Sequence, residues 1–142
     1  MANIGDYMSQ EHRQCDEAFA RAEDAVASGD WAAAQAAFEA FHGAMQRHFA
    51  LEEEKLFPAF EEATGMSGAG PTQTMRIEHE QMRRLFEEMK QAALARESAQ
   101  YLGLSETLLL LMQQHNIKEE SMMYPMLDEA LGSRAGELIA AC

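Results

Sequence analysis

Residues 45–58, MQRHFALEEEKLFP, and residues 112–125, MQQHNIKEESMMYP, are two copies of one sequence pattern. In each copy a histidine is followed four positions later by a pair of glutamates, and then by an aromatic residue and a proline. Positions i and i+4 of an α-helix lie on one face, one turn apart, so each histidine points in the same direction as the first glutamate after it. Each copy can therefore present one imidazole and one carboxylate to a common centre.

The two copies are parts of an internal repeat with an offset of 67 residues. Upstream in each half, a Glu-His pair at residues 11–12 matches a second pair at residues 78–79. Such a repeat predicts two similar helical hairpins that pair in a pseudo-twofold bundle. We predict one domain over residues 1–142, with the hairpins at about 4–65 and 71–132.

Apolar residues recur at helical spacing along almost the whole chain, and residues that favour helices are abundant. Glycine-rich or polar breaks divide the chain into segments. Together these features predict an all-α protein, an up-down-up-down four-helix bundle with a short C-terminal fifth helix. Pro58 and Pro125 fall inside two predicted helices, where we expect a kink or an early end. The predicted spans are Ile4 to Ala27, Trp31 to Thr64, Thr72 to Ala95 and Tyr101 to Leu131, with an N-cap at Asp30 and C-caps at Gly65 and Gly132.

Four of the five histidines occupy repeat-related positions. Within each predicted hairpin the two histidines are equally far from the turn, so they lie side by side at one depth. Buried imidazoles and carboxylates are costly without a counter-charge, which a bound metal ion provides. Imidazole and carboxylate ligands without thiolate suit iron, manganese, cobalt or zinc, and a glutamate-bridged pair of metals favours iron or manganese. The predicted metal ligands are His12, His48, Glu52, His79, His115 and Glu119.

The chain of 142 residues has a formal net charge of −13. This charge repels phosphate backbones and anionic lipid, so we expect neither nucleic acid nor a membrane surface as a partner. The start of the chain does not resemble a leader, no apolar run is long enough to span a membrane, and the only cysteines are Cys15 and Cys142. We therefore expect a soluble, cytoplasmic protein, with Cys15 as a buried and inert thiol.

The pattern His, His-x3-Glu, His, His-x3-Glu, with a second glutamate and an aromatic-proline pair after each His-x3-Glu, resembles the hemerythrin-like (HHE cation-binding) domains over roughly Asp6 to Ala130. This resemblance implies an up-down-up-down bundle around two iron ions joined by an oxo or hydroxo bridge, in preference to manganese or zinc. It implies binding of dioxygen or another small diatomic ligand. It also implies that the four histidines are terminal ligands and that Glu52 and Glu119 bridge the metals.

The chain departs from the oxygen-carrying members of that family at two ligands. Those members have a further histidine at the position of Arg83, and arginine stays protonated and cannot bind a metal. Their last bridging carboxylate is an aspartate, one residue further from its histidine than Glu119 is from His115. Asp16, the repeat equivalent of Arg83, is expected to be solvated or paired with Arg83, with metal ligation as the alternative. Open positions on both metals would disfavour simple reversible oxygen carriage.

Further residues near the pattern can be interpreted from their positions. His42 lies about 120° around the helix from the histidine six residues later, so we expect it to miss the ligand face. Glu53 and Glu120 are expected to be solvated, or to accept hydrogen bonds from neighbouring imidazoles. Tyr124 is expected to be a packing residue, because Phe57 stands at the same position in the other half, and a redox-active phenol near Glu119 is the alternative.

These observations predict a non-haem di-iron protein that binds, senses or stores dioxygen or a related ligand such as nitric oxide. The alternative is a di-iron enzyme that acts on peroxide or nitric oxide, or an iron donor for cluster repair. A scaffold with a structural metal is a third interpretation. The pattern favours a binding protein over an enzyme, and it leaves a homodimer open.

Overall fold

The computed structural model describes residues 3–66, 68 and 70–141, and these residues form helices and short turns without a strand. The predicted all-α class is confirmed. Cys142 and part of the predicted glycine-rich break at residues 65–71 lie outside the described residues. The helices are α1 (Ile4–Ser28), α2 (Trp31–Leu51), π1 (Glu52–Leu56), α3 (Phe57–Thr64), α4 (Pro71–Leu94), α5 (Ser98–Lys118), π2 (Glu119–Met123), α6 (Tyr124–Leu131) and α7 (Arg134–Ala140).

The long helices are arranged as two hairpins. α1 packs on α2 in the first hairpin, and α4 packs on α5 in the second. Contacts of α1 with α5 and of α2 with α4 join the hairpins into the predicted up-down-up-down four-helix bundle. α7 is the predicted short fifth helix, and it packs against α1 and α6. No helix in the described part of the chain is long and apolar enough to cross a membrane.

Caps set most helix ends near the predicted positions. Asp30 is the N-cap of α2, and its carboxylate accepts a hydrogen bond of 3.1 Å from a backbone N–H of the first turn. Gly65 and Gly132 are the C-caps of α3 and α6, and both have the positive φ that glycine adopts without steric cost. The last long helix begins at Ser98, so the predicted start at Tyr101 is wrong. The carbonyl just before Ser98 already accepts from the N–H of Tyr101 at 3.0 Å, which starts the helical hydrogen bonding.

Two π-helical segments, π1 and π2, interrupt the long helices at repeat-related positions. Each begins at a predicted bridging glutamate, Glu52 or Glu119, whose carbonyl accepts an i→i+5 hydrogen bond from Phe57 or Tyr124. A proline follows at once, and since proline has no N–H it cannot continue an unaltered α-helix. The structure has a widened turn just before each proline, inside a continuous run of helix, rather than the predicted early end.

Two apolar clusters fill the bundle on either side of the predicted ligand layer. Along α1, His12 lies between Met8 of one cluster and Cys15 of the other. The ligand layer is therefore enclosed by apolar side chains, where an unpaired charge is costly. The largest fully buried side chains of the two clusters include Phe41, Phe49, Phe86 and Tyr101 on one side and Phe57, Phe60 and Tyr124 on the other.

Candidate metal centre

The structure brings all six predicted ligands together in the middle of the bundle. Each is buried, with at most 4% of its surface exposed. Their ligand atoms form two groups, and within each group the atoms lie within 4.8 Å of one another. The groups are His12, His48 and Glu119, and Glu52, His79, His115 and Glu119. Glu119 belongs to both groups, as a bridging carboxylate would.

The Nε2 atoms of the histidines face the inside of this cluster. Those of His12 and His48 are 3.2 Å apart, and His12 Nε2 is 3.0 Å from Glu119 Oε1. In the other group, His79 Nε2 lies 3.0 Å from Glu52 Oε1. Two ligand atoms that are each about 2.1 Å from one ion, at right angles, are about 3 Å apart. The spacing of these buried atoms therefore fits ligands of shared metal ions.

The Nδ1 atoms face outward, and each lies against a glutamate carboxylate. The pairs are His12 with Glu120 (2.7 Å), His48 with Glu11 (2.8 Å), His79 with Glu53 (2.6 Å) and His115 with Glu78 (2.7 Å). A carboxylate can only accept, so each Nδ1–H is the donor. Of the two roles expected for Glu53 and Glu120, the hydrogen bond to an imidazole is confirmed. Glu11 and Glu78, to which the sequence assigned no role, hold the other two histidines in the same way.

These outer hydrogen bonds decide which atoms are free to bind a metal. A neutral imidazole whose Nδ1–H donates has a lone pair on Nε2, the form in which histidine binds metals. Within the described residues, four buried side-chain atoms lack a hydrogen-bond partner: Glu52 Oε1, Glu119 Oε2, His79 Nε2 and His115 Nε2. Buried polar atoms without partners are costly, and a cation between them would remove this cost. The donor set therefore fits a metal.

The carboxylates of the cluster also favour positive charge on the imidazoles. Burial lowers the pKa of His115, but the carboxylates of Glu119, Glu52 and Glu78 together outweigh burial and raise this pKa to about 9. Burial also lowers the pKa values of His12 and His79, but Glu119, Glu120 and Glu52 together raise that of His12, and Glu52 and Glu53 raise that of His79. The cluster therefore favours positive charge at neutral pH, and metal ions supply it without protonating the ligands.

A comparison with protein families bears on this cluster. The family model described as the hemerythrin HHE cation binding domain matches residues 3–127. The chain belongs to this family. No curated protein and no solved structure matches the chain. The HHE domain spans all six clustered residues, and its description as cation-binding agrees with a buried site that could hold a metal.

Arg83 of the HHE domain binds Glu53 through two hydrogen bonds, Nη1 to Oε2 at 3.0 Å and Nη2 to Oε1 at 2.8 Å. Burial raises the pKa of Glu53, but hydrogen bonds from His79 and Arg83 lower it to about 2. The Arg83 guanidinium also lies 5.3 Å from the ring centroid of Phe49, which stacks on His79 at 3.9 Å. Arg83 thus holds both the outer partner and the flanking ring of one candidate ligand.

Asp16 is exposed and lies outside both groups of ligand atoms in the HHE domain. The acidic partners of Arg83 are Glu53 and Glu80. The predicted pairing of Asp16 with Arg83 is therefore wrong, because the bidentate bond to Glu53 already occupies the guanidinium. The structure instead places Asp16 as a solvated side chain.

Two other residues lie where the sequence predicts. His42 is outside the cluster, half-buried, with its Nε2 3.0 Å from the side-chain amide nitrogen of Gln46. Cys15 is buried, and burial raises the pKa of its thiol to about 12. A thiol with this pKa stays protonated at neutral pH, which agrees with an inert role.

Tyr124 is part of the cluster, so the prediction that it only packs is wrong. Its fully buried hydroxyl lies 2.8 Å from Glu52 Oε2, 2.8 Å from Glu119 Oε1 and 3.0 Å from His12 Nε2. In a regular α-helix, position i+5 lies about 140° around the axis from position i. The i→i+5 turn of π2 instead brings Tyr124 back over Glu119, which directs the phenol into the HHE site. One feature of the sequence could have indicated this role: Tyr124 has a hydroxyl group at the position where the other half of the repeat has Phe57.

Proposed function

We propose that this HHE domain is a non-haem di-iron protein that binds, senses or stores dioxygen or a related small ligand such as nitric oxide. The observation that carries this proposal is the pair of ligand groups that share Glu119. Each group contains two histidines, and a shared carboxylate is the usual means of holding two metals close together. A single structural ion needs only about four donors, fewer than this cluster offers.

The donor chemistry supports iron. The clustered donors are imidazole nitrogens and carboxylate oxygens, and Cys15 belongs to neither ligand group. This set suits iron or manganese better than copper(I) or a thiolate zinc site. When bound, a carboxylate-bridged pair of irons supplies electrons and an open coordination position to dioxygen or nitric oxide. The low cysteine count also fits the cytoplasmic location that we propose.

The chain's own residues prepare the site in two ways. Outer glutamates such as Glu11 and Glu78 hold the Nδ1–H of their histidines, which fixes the ring orientation and makes Nε2 the better donor. Apolar clusters lie on both sides, with Met45 and Met112 in one of them, and they exclude bulk water from the site. These surroundings favour a diatomic ligand over a bulky substrate.

Stopped-flow mixing of the reduced, iron-loaded protein with dioxygen, nitric oxide and hydrogen peroxide tests this proposal. A spectral adduct that dissociates when the ligand is removed would support binding or sensing. Repeated consumption of peroxide or nitric oxide would instead establish the di-iron enzyme. His48→Ala should abolish the spectral change, whereas His42→Ala, which alters a histidine outside the cluster, should retain it. A response that survives His48→Ala would contradict the proposed site.

A further inference from the structure

The Tyr124 hydroxyl has more acceptors around it than it has protons to donate. A phenol has one hydrogen, yet Glu52 Oε2, Glu119 Oε1 and His12 Nε2 all lie within 3.0 Å of Oη. In the neutral form in which His12 would bind a metal, its Nδ1–H donates to Glu120 and its Nε2 carries a lone pair. At most one of the three atoms can receive the phenol proton, so the others face an oxygen lone pair in a buried site. With the imidazole in that form, a cation among these atoms would meet the lone pairs that the single phenol proton cannot.

The same distances are those expected between ligands of one metal ion. Oη is 2.8 to 3.0 Å from its three neighbours, and adjacent ligands about 2.1 Å from an ion are about 3 Å apart. The two ligand groups are also unequal, since the one with His12 and His48 has three members and the other has four. A phenol oxygen beside His12 would supply the missing fourth donor.

We infer that Tyr124 is a further metal ligand, a phenolate bound to the ion held by His12 and His48. This inference rests on the proposed two-metal function. When the metal binds, the Oη–H bond breaks, the phenolate oxygen donates an electron pair to the metal, and the proton leaves to solvent without a change in oxidation state. Phe57, the repeat equivalent of Tyr124, has no oxygen. The half-site of His79 and His115 therefore has no equivalent phenol, and Glu52 is its fourth donor.

Resonance Raman spectroscopy of the iron(III)-loaded protein tests this assignment. A phenolate bound to iron(III) gives a visible charge-transfer band, and excitation in this band enhances tyrosine ring vibrations. We expect both features in the wild type and their loss in Tyr124→Phe, with about two irons per chain in each protein. Tyr101→Phe is the matched control, because Tyr101 is equally buried but packs in the apolar cluster near Phe38. This variant should keep the band.

Iron analysis of the same samples separates the possible failures. A wild type with two irons but no tyrosine ring vibrations would overturn ligation by Tyr124 and leave the di-iron proposal standing. A wild type that takes up no iron would overturn both. Should Tyr124→Phe fail to fold, a Tyr7→Phe, Tyr101→Phe protein leaves Tyr124 as the last of the three tyrosines. The vibrations must persist in that protein and shift with ring-deuterated tyrosine, and their absence would refute the assignment.

Discussion

Glu53 lies between His79 and Arg83. Its Oε2 accepts from His79 Nδ1 at 2.6 Å, and its Oε1 accepts from Arg83 Nη2 at 2.8 Å. Glu120, the repeat equivalent of Glu53, accepts from His12 in the same way, but no Lys or Arg of the described residues pairs with it. The two halves of the candidate centre therefore have repeat-related histidines but different charges around them.

The first prediction concerns Arg83→Gln. Without the guanidinium, the Glu53 charge is no longer balanced and polarises the Nδ1–H of His79 more strongly, which makes Nε2 a stronger donor to a metal. A stronger donor favours the more highly charged ion, so the reduction potential of the iron-loaded protein should fall. Redox titration followed by absorption would measure this shift. Arg84→Gln, at the exposed neighbouring position, should leave the potential unchanged. An equal shift in both variants would mean that bulk charge and not Glu53 is responsible.

Glu53→Gln provides the second prediction. The change removes the charged acceptor of His79 Nδ1 while keeping the side chain's size, so we expect metal affinity to fall by about 10- to 100-fold. Competition with a chromophoric chelator would measure the affinity. Glu54→Gln is the control, because Glu54 is the next residue in π1 and is exposed. The Arg83→Gln effect on potential should also be largely lost in the Glu53→Gln background. Independent, additive effects would rule out the relay from Arg83 through Glu53 to His79.

The third prediction concerns the Cys15 thiol. Burial, with nearby carboxylates, raises its pKa to about 12, whereas an unfolded cysteine ionises near pH 8.5. In a Cys142→Ser protein, a thiol reagent at pH 8 should therefore react slowly with the native fold and rapidly after unfolding in guanidinium. Spectroscopic thiol counting would follow both reactions. Equal rates in the native and unfolded protein would show that Cys15 is accessible, contrary to its position in the core.

The six clustered residues could be predicted from the sequence because helical spacing and an internal repeat fix them together. An i,i+4 pair such as His48 and Glu52 points one way in any α-helix, and the repeat places the same pair in the second hairpin. Equal distance from a turn then sets the depth of His12 and His79. None of these steps depends on how side chains from different helices pack against one another.

Tyr124 and Arg83 could not be placed from the sequence, for two different physical reasons. The role of Tyr124 depends on the π turn, which changes the direction of the residue five positions after Glu119. The repeat pairs Tyr124 with Phe57, which favoured a packing role, and regular α-helical spacing could not reveal the π turn. The partner of Arg83 depends on which carboxylate a neighbouring helix brings into reach. That carboxylate belongs to Glu53 on π1, and spacing within one helix cannot reveal a contact between two helices.

The central claim, two metals held around Glu119, is tested most directly by counting metal. The protein should be loaded anaerobically with iron(II), freed of excess ion, and analysed for iron per chain. We predict about two irons in the wild type and in Glu129→Gln, an exposed control on α6. Glu119→Gln, which alters the carboxylate common to both ligand groups, should lose both ions while circular dichroism shows that it remains helical. One tightly held zinc per chain, unaffected by Glu119→Gln, would contradict the account.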